Sequence, residues 1–214
     1  MIGECREHGF YRGDACPACG SEGRFIMSDI EAERLGRMLA TVLRHGKYGL
    51  EMTRDGYVRA DDIAAAAKRN SNRLPWLRGR HIIALAVTDA KGRYQVRGDS
   101  VRATYGHTVD VELGLPTDNV PERLYYPVSP ESEEIILETG IMPTDRAKVH
   151  LSATVEGAEE AGEARLDDGV AVVEVDARGC AAAGFPIGRA SPTVFTCDRV
   201  PPECVSAGAA TRRS

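Results

Sequence analysis

The chain has 214 residues, 43% hydrophobic and 28% charged, with 6% aromatics and a single tryptophan, Trp76. That length suits one large or two small domains with a mainly aliphatic core. The longest apolar run, Ile82–Val87, is far too short to cross a bilayer, and no basic stretch leads into an apolar one at the N-terminus. Composition therefore excludes a membrane span, a disordered chain and a small disulfide scaffold, and a cytoplasmic protein is expected. The formal net charge of −5 is uneven: residues 29–110 carry 15 basic and 10 acidic side chains, residues 111–214 carry 9 and 18. A basic middle joined to an acidic C-terminal half is what a surface for a polyanion beside a second functional surface would produce, and also what an unevenly solvated surface would.

The first motif is C-x2-H-x7-C-x2-C, made by Cys5, His8, Cys16 and Cys19. Three thiols and an imidazole are the ligand set of a closed structural Zn²⁺ site, and two-residue spacers let each pair chelate from one tight turn. Residues 1–28 are too few to bury a core, so the metal is expected to supply much of this zinc-ribbon-like segment's folding energy. A pair of disulfides, or free thiols in a loose tail, is the rival reading. Cys180, Cys197 and Cys204 lack paired spacing and read as buried apolar groups, or as one disulfide and a leftover thiol.

Leu35, Met38, Leu39, Val42 and Leu43 recur at three and four residues, the apolar face of a helix capped by Ser28 or Asp29 and ended by Gly46. Asp55-Gly56 is a turn signal, followed by a short extended piece at Tyr57-Val58. Two further helices are expected, Asp61–Arg69 and one from near Pro75 to Asp89. Strands follow at Arg93–Arg97 and Val101–Leu113, joined at Gly98-Asp99-Ser100. Three helices and a β-hairpin are the order of a winged-helix domain, here 29–115. Leu115–Pro121, with two prolines, reads as a linker. Beyond it the expected order is strand Arg123–Val128, helix Pro130–Thr139, strand Lys148–Ser152, helix Glu156–Arg165, and strands Val170–Asp176 and Thr193–Cys197. This predicts an α+β chain of two lobes, the second (121–205) built on a split, largely antiparallel sheet, with 206–214 as a frayed tail.

Neither a P-loop nor a G-x-G-x-x-G fingerprint is present, and H-E-x-x-H and G-x-S-x-G are absent as well. What remains is arginine and histidine beside glycine and hydroxyl residues, which suits anion capture better than nucleophilic catalysis.

Several segments together resemble one known set. They are L-R-H-G at Leu43–Gly46, D-G-Y-V-R-A-D-D-I at Asp55–Ile63 and V-R-A-T-Y-G-H-T at Val101–Thr108. Further on come L-Y-Y-P-V at Leu124–Val128, R-A-K-V-H-L-S at Arg146–Ser152 and V-P-P-E at Val200–Glu203. In order and spacing they resemble the tRNA 2′-phosphotransferase family, over about residues 30 to 205. The resemblance implies a winged-helix RNA lobe and an ADP-ribosyltransferase-like NAD⁺ lobe. It implies removal of a 2′-phosphate from RNA, with nicotinamide and ADP-ribose 1″,2″-cyclic phosphate as products. Carried over by motif, the phosphate-handling residues are Arg44, His45, Arg102 and Arg146. Gly106, His107 and Thr108 would line the nicotinamide–ribose end of NAD, and His150 and Ser152 the adenosine side. Tyr126-Pro127-Val128 stands where many members have His-Gly-Thr, so Tyr126 keeps a donor through its phenol while Pro127 removes a backbone one. The partners so implied are RNA carrying an internal 2′-phosphate and NAD, with no membrane, the chain acting as a monomer. Two alternatives stand beside this: a zinc-ribbon and winged-helix DNA-binding regulator, and an ADP-ribosyltransferase acting on other nucleic-acid phosphates or on protein.

Overall fold

A computed structural model describes residues 1–71, 74–167 and 169–208 of the chain. It is a mixed α+β structure that divides into two compact units, Met1–Leu113 and Gly114–Ser214. Among the described residues there are three sheets, all antiparallel.

The first unit opens with β1 (Ile2–Cys5), β2 (Gly9–Arg12) and β3 (Arg24–Met27), in the order β2-β1-β3. This corrects the expectation of a segment without a core. Ile2, Ile26 and Met27 are buried in one cluster with Leu35, Leu39 and Leu43, and Glu4 pairs with Arg80 at 2.6 Å. The start of β1 and the end of β3 thus join the unit's core, while the ligands Cys5 and Cys16 pack in a small cluster of their own with Tyr11.

Helix α1 (Asp29–His45) starts where the sequence predicts it. Ser28 Oγ accepts from the Glu31 N–H, and the Glu31 carboxylate accepts from the Ser28 N–H, a reciprocal cap. Gly46, at φ 62°, ends it in the left-handed region. Then come β4 (Val58–Arg59), α2 (Ala60–Asn70), α3 (Gly79–Val87), β5 (Tyr94–Arg97) and β6 (Ser100–Ala103), with sheet order β4-β6-β5. Helix α3 begins four residues later than expected, at Gly79, whose N–H donates to Asp61 Oδ1 and where a Cβ would lie 2.5 Å from that oxygen. The long strand expected over Val101–Leu113 stops at Ala103. Beyond it the backbone donors turn to loops: Thr108 N–H to the Arg44 carbonyl and Glu112 N–H to the Arg54 carbonyl, both at 2.9 Å.

The second unit holds β7 (Arg123–Val128), a 3₁₀ turn at Pro130–Ser132, α4 (Glu133–Thr139), β8 (Val149–Ser152), α5 (Val155–Glu163), β9 (Ala171–Asp176), α6 (Ala177–Ala182), β10 (Gly188–Arg189), β11 (Val194–Cys197), a 3₁₀ turn at Pro202–Cys204 and β12 (Val205–Ala207). Its sheet runs β10-β11-β8-β7-β9-β12. The β7–β9 ladder covers six residue pairs, whereas β7 and β8 share one, Tyr125 with Ser152. The ladder to β8 thus ends two residues short of Pro127, which has no N–H to give. The core is Leu124, Val128, Leu151, Val173, Val175 and Phe195 with their neighbours.

Two expectations are corrected here. Leu115–Pro121 is not a free linker throughout: the Pro116 carbonyl accepts from the Arg189 N–H at 2.8 Å, and Leu115 lies against Gly188. Ser206 and Ala207, expected in a frayed tail, pair with Glu174 and Val173 because β9 otherwise presents an unfilled edge. The rest of that tail, 209–214, lies outside the described residues. No helix among the described residues is long and apolar enough to cross a membrane.

Candidate active site

The last turn of α1 and the loop after β6 build the first constellation. Arg44 and His45 end the helix, and Thr108 ties the loop to it. The Thr108 N–H and hydroxyl both donate to the Arg44 carbonyl, at 2.9 and 3.4 Å, and Thr108 Oγ1 lies 3.0 Å from His45 Nδ1. The Thr108 contact thus engages His45 through Nδ1 and orients the ring, with Nε2 as its other nitrogen. Gly106 has φ +83°, and a Cβ there would lie 3.1 Å from Arg44 Nε. The Arg44 guanidinium also lies 4.8 Å from the Tyr105 ring centre. Glycine and tyrosine thus fix its position without touching its donors. Arg44 Nε and Nη2 are buried and have no hydrogen-bond partner among the described residues.

His107 is 4% exposed, and its Nε2 is also buried without a hydrogen-bond partner among them. Burial, then the charges of Arg44, Arg102 and His45, push its pKa down to about 4. It is therefore a neutral imidazole at pH 7, set among cationic side chains.

Arg102, on β6, is 8% exposed. Nη1 donates to the carbonyls of Asp55 and Leu113, both at 2.9 Å, and Nε and Nη2 donate to Gln95 Oε1 at 2.9 and 2.6 Å. Its Cζ is 4.8 Å from the Tyr57 ring centre. Among the described residues neither Arg44 nor Arg102 has a carboxylate within 4.0 Å, although arginines 37, 54, 59, 80, 93 and 97 of the same unit all form ion pairs. A guanidinium withdrawn from water normally needs a counter-charge. Two that lack one make a local excess of positive potential suited to an anion.

The second unit carries the other expected residues. Arg146, 30% exposed at its side chain, has Nε 3.8 Å from Asp145 Oδ2. On β8, His150 Nδ1–H donates to the Lys148 carbonyl at 2.9 Å, and Ser152 faces Tyr125 of β7 and Val194 of β11 in the ladders. Tyr126 is half-buried opposite Val173. Thus Arg44, His45, Arg102, Gly106, His107 and Thr108 belong to the first unit, and Tyr126, Arg146, His150 and Ser152 to the second.

These segments can now be set beside known proteins. A family model described as "RNA 2'-phosphotransferase, Tpt1 / KptA family" matches residues 31–199. The chain belongs to this RNA 2'-phosphotransferase family. Its relatives include a "Probable RNA 2'-phosphotransferase" of Thermoplasma volcanium, 38% identical over 202 residues, which covers 93% of this chain and 85% of that protein. A protein of the same name from Methanosarcina acetivorans is 36% identical over 205 residues, 95% of this chain and 97% of its own. The "Probable RNA 2'-phosphotransferase 1" of Archaeoglobus fulgidus is 38% identical over 199 residues, 92% and 90%.

The RNA 2'-phosphotransferase match begins after the N-terminal cysteines, which form a second constellation. Cys5 Sγ lies 3.5 Å from His8 Nδ1 and 3.8 Å from Cys19 Sγ, and Cys16 Sγ lies 3.7 Å from His8 Nδ1. All four donor atoms lie within 4.8 Å of one another. Zn–S bonds of about 2.3 Å and Zn–N bonds of about 2.0–2.1 Å around a tetrahedron would space their ligands by about 3.5–3.8 Å, so the donor set fits that ion. A backbone N–H at Glu7, then His8, hold the Cys5 thiol down to about 6, the thiolate a metal needs.

The remaining cysteines, Cys180, Cys197 and Cys204, are buried and form no disulfide, so they act as apolar groups. Burial pushes the Cys197 thiol up to about 12. One residue of the first constellation, Gln95, is missed by motif reasoning. Its signal was the turn at Gly98-Asp99, which sets Arg97 opposite Ser100 and therefore Gln95 opposite Arg102.

Proposed function

We propose that this transferase is NAD⁺-dependent and removes a 2′-phosphate from RNA of the tRNA splice-junction type by way of an ADP-ribosylated phosphate. The products are 2′-hydroxyl RNA, nicotinamide and ADP-ribose 1″,2″-cyclic phosphate. The observation that carries the reading is the pair Arg44 and Arg102 in one unit, the first half-buried with Nε and Nη2 buried and unbonded, the second buried, with no carboxylate for either among the described residues. The relatives' names supply the RNA 2′-phosphate, and the sequence resemblance supplies NAD⁺.

In the first step a 2′-phosphate oxygen attacks C1″ of the nicotinamide ribose, and the bond to nicotinamide breaks. The nucleophile is already an anion, so no serine or cysteine is required. Arg44 and Arg102 hold and orient that phosphate, with His45 beside them. In the second step the ribose 2″-hydroxyl attacks phosphorus, and the RNA 2′-oxygen leaves and takes up a proton. His45, through Nε2, is the group suited to moving that proton. Arg146 is assigned to the charge that develops on the phosphoryl oxygens, an interaction of the kind that contributes roughly 3 kcal/mol in a transition state. Gly106, His107 and Thr108 are assigned to the nicotinamide–ribose end, and Tyr126, His150 and Ser152 to the rest of the dinucleotide.

The element order of residues 29–115 supports a winged-helix RNA lobe, and the antiparallel sheet with its thin centre supports an ADP-ribosyltransferase-like lobe over 121–205. Cys5, His8, Cys16 and Cys19 would hold a structural Zn²⁺, whose contribution is to cross-link the β1–β2 turn and the turn at Cys16–Cys19. Six unbridged cysteines suit a cytoplasmic setting, and the protein is read as a monomer.

The test is mass spectrometry of the NAD⁺-derived product after incubation with 2′-phosphorylated RNA. Cyclic ADP-ribose phosphate, with nicotinamide released in proportion to phosphate lost, is expected. Phosphate removal that is unchanged when NAD⁺ is omitted would overturn the reading.

A further inference from the structure

Every acceptor around the Arg102 guanidinium is neutral. Two are backbone carbonyls, of Asp55 and Leu113, and the third is the side-chain amide of Gln95, which takes both Nε and Nη2. The carboxylate of Asp55, whose carbonyl is one of those acceptors, is turned to another arginine: Asp55 Oδ2 accepts from Arg97 Nη1 at 2.7 Å. Gln95 is the only glutamine in the chain, against 32 aspartates and glutamates. A glutamate has the same length and would accept from the same two nitrogens with a stronger, charge-assisted pair. It would also cancel the charge that a phosphate is to meet. An amide keeps the geometry and leaves the charge.

The hydrogen-bond count sharpens this. Four of the five N–H groups of Arg102 are taken up within the protein. One N–H on Nη2 is left, so Arg102 meets a ligand as a fixed, uncompensated charge with a single donor rather than as a two-pronged fork.

We propose that Gln95 is a positioning residue: it locks the Arg102 guanidinium in place through a neutral acceptor and so reserves its full charge for the substrate phosphate. This rests on the assignment of Arg102 to the RNA 2′-phosphate. A purely structural role for Gln95 makes a different forecast, because Gln95→Glu preserves both hydrogen bonds and would then behave as wild type.

The experiment compares Gln95→Glu and Gln95→Ala with the wild-type chain in three readouts. These are melting temperature, kcat/KM on 2′-phosphorylated RNA with NAD⁺, and affinity for a 2′-phosphorylated oligoribonucleotide against its unphosphorylated counterpart. Gln95→Glu is expected to melt at or above wild type, yet to lose about tenfold or more in kcat/KM and in affinity for the phosphorylated probe alone. Gln95→Ala is expected to melt lower and to lose less activity than Gln95→Glu. Wild-type activity and phosphate-selective binding in Gln95→Glu would overturn the proposal. If the wild type fails to turn over this RNA, the functional reading falls, and the binding series still decides the role of Gln95.

Discussion

Arg44 and Arg102 carry the same charge and are held by opposite means. Arg44 rests between Tyr105 and the Gly106 backbone with Nε and Nη2 unbonded, whereas Arg102 spends four N–H groups on the protein. Arg44→Ala therefore removes a stacking contact of about 1 kcal/mol and leaves no buried acceptor unpaired. It is expected to lower the melting temperature by only about 2–4 °C while kcat falls by about 10²–10³-fold. Arg102→Ala strands the Asp55 and Leu113 carbonyls and is expected to cost about 2–4 kcal/mol of stability as well as activity. Denaturant unfolding of both variants beside single-turnover kinetics checks the contrast.

His107 gives the site a pH signature. Its folded pKa of about 4 lies below the unfolded value of 6.5. The stability that comes from keeping it neutral is complete above pH 6.5. It is lost progressively as pH falls, because only the unfolded chain takes up the proton readily, and is gone by about pH 4. The full effect is about 3 kcal/mol. The wild-type melting temperature is expected to drop over that window, and His107→Gln to show a flatter profile there. Parallel profiles for the two proteins would contradict the assignment.

At the scale of elements, the N-terminal three-stranded sheet decides more than its size suggests. Its ligand cluster ties the β1–β2 turn to the turn at Cys16–Cys19, and its strands supply Ile2, Ile26 and Met27 to the core that also packs α1 and α3. Trp76 packs against that same core. Metal removal should therefore be felt beyond residues 1–28. Chelation, or Cys16→Ser, is expected to lower the tryptophan-fluorescence melting temperature by several degrees, and elemental analysis should find about one zinc per chain. A metal-free protein melting like the untreated one would rule out the structural site. Helix α1 and strand β7 lie where periodicity and β-branched or aromatic content put them. Elements α6 and β12 do not announce themselves. The first is six residues with an internal glycine, held by Asp176 capping the Arg178 and Gly179 N–H groups. The second is an edge strand specified by the partner it completes.

Across the whole molecule, the sequence alone determined the family-bearing motifs, the metal-ligand spacing, the main helices and the α+β class, because each is written in a window of a few residues to a few turns. Gln95 stands between the two levels. The hairpin register makes it the cross-strand neighbour of Arg102, but register does not say what the guanidinium does. That was decided by acceptors 47 and 11 residues away, at Asp55 and Leu113. Only tertiary structure shows that two arginines in one unit bury guanidinium nitrogens without a counter-charge, and that a buried imidazole stays neutral beside them. Burial and hydrogen-bond partners are set by packing between distant segments, and no local pattern encodes which acceptor a buried charge will find.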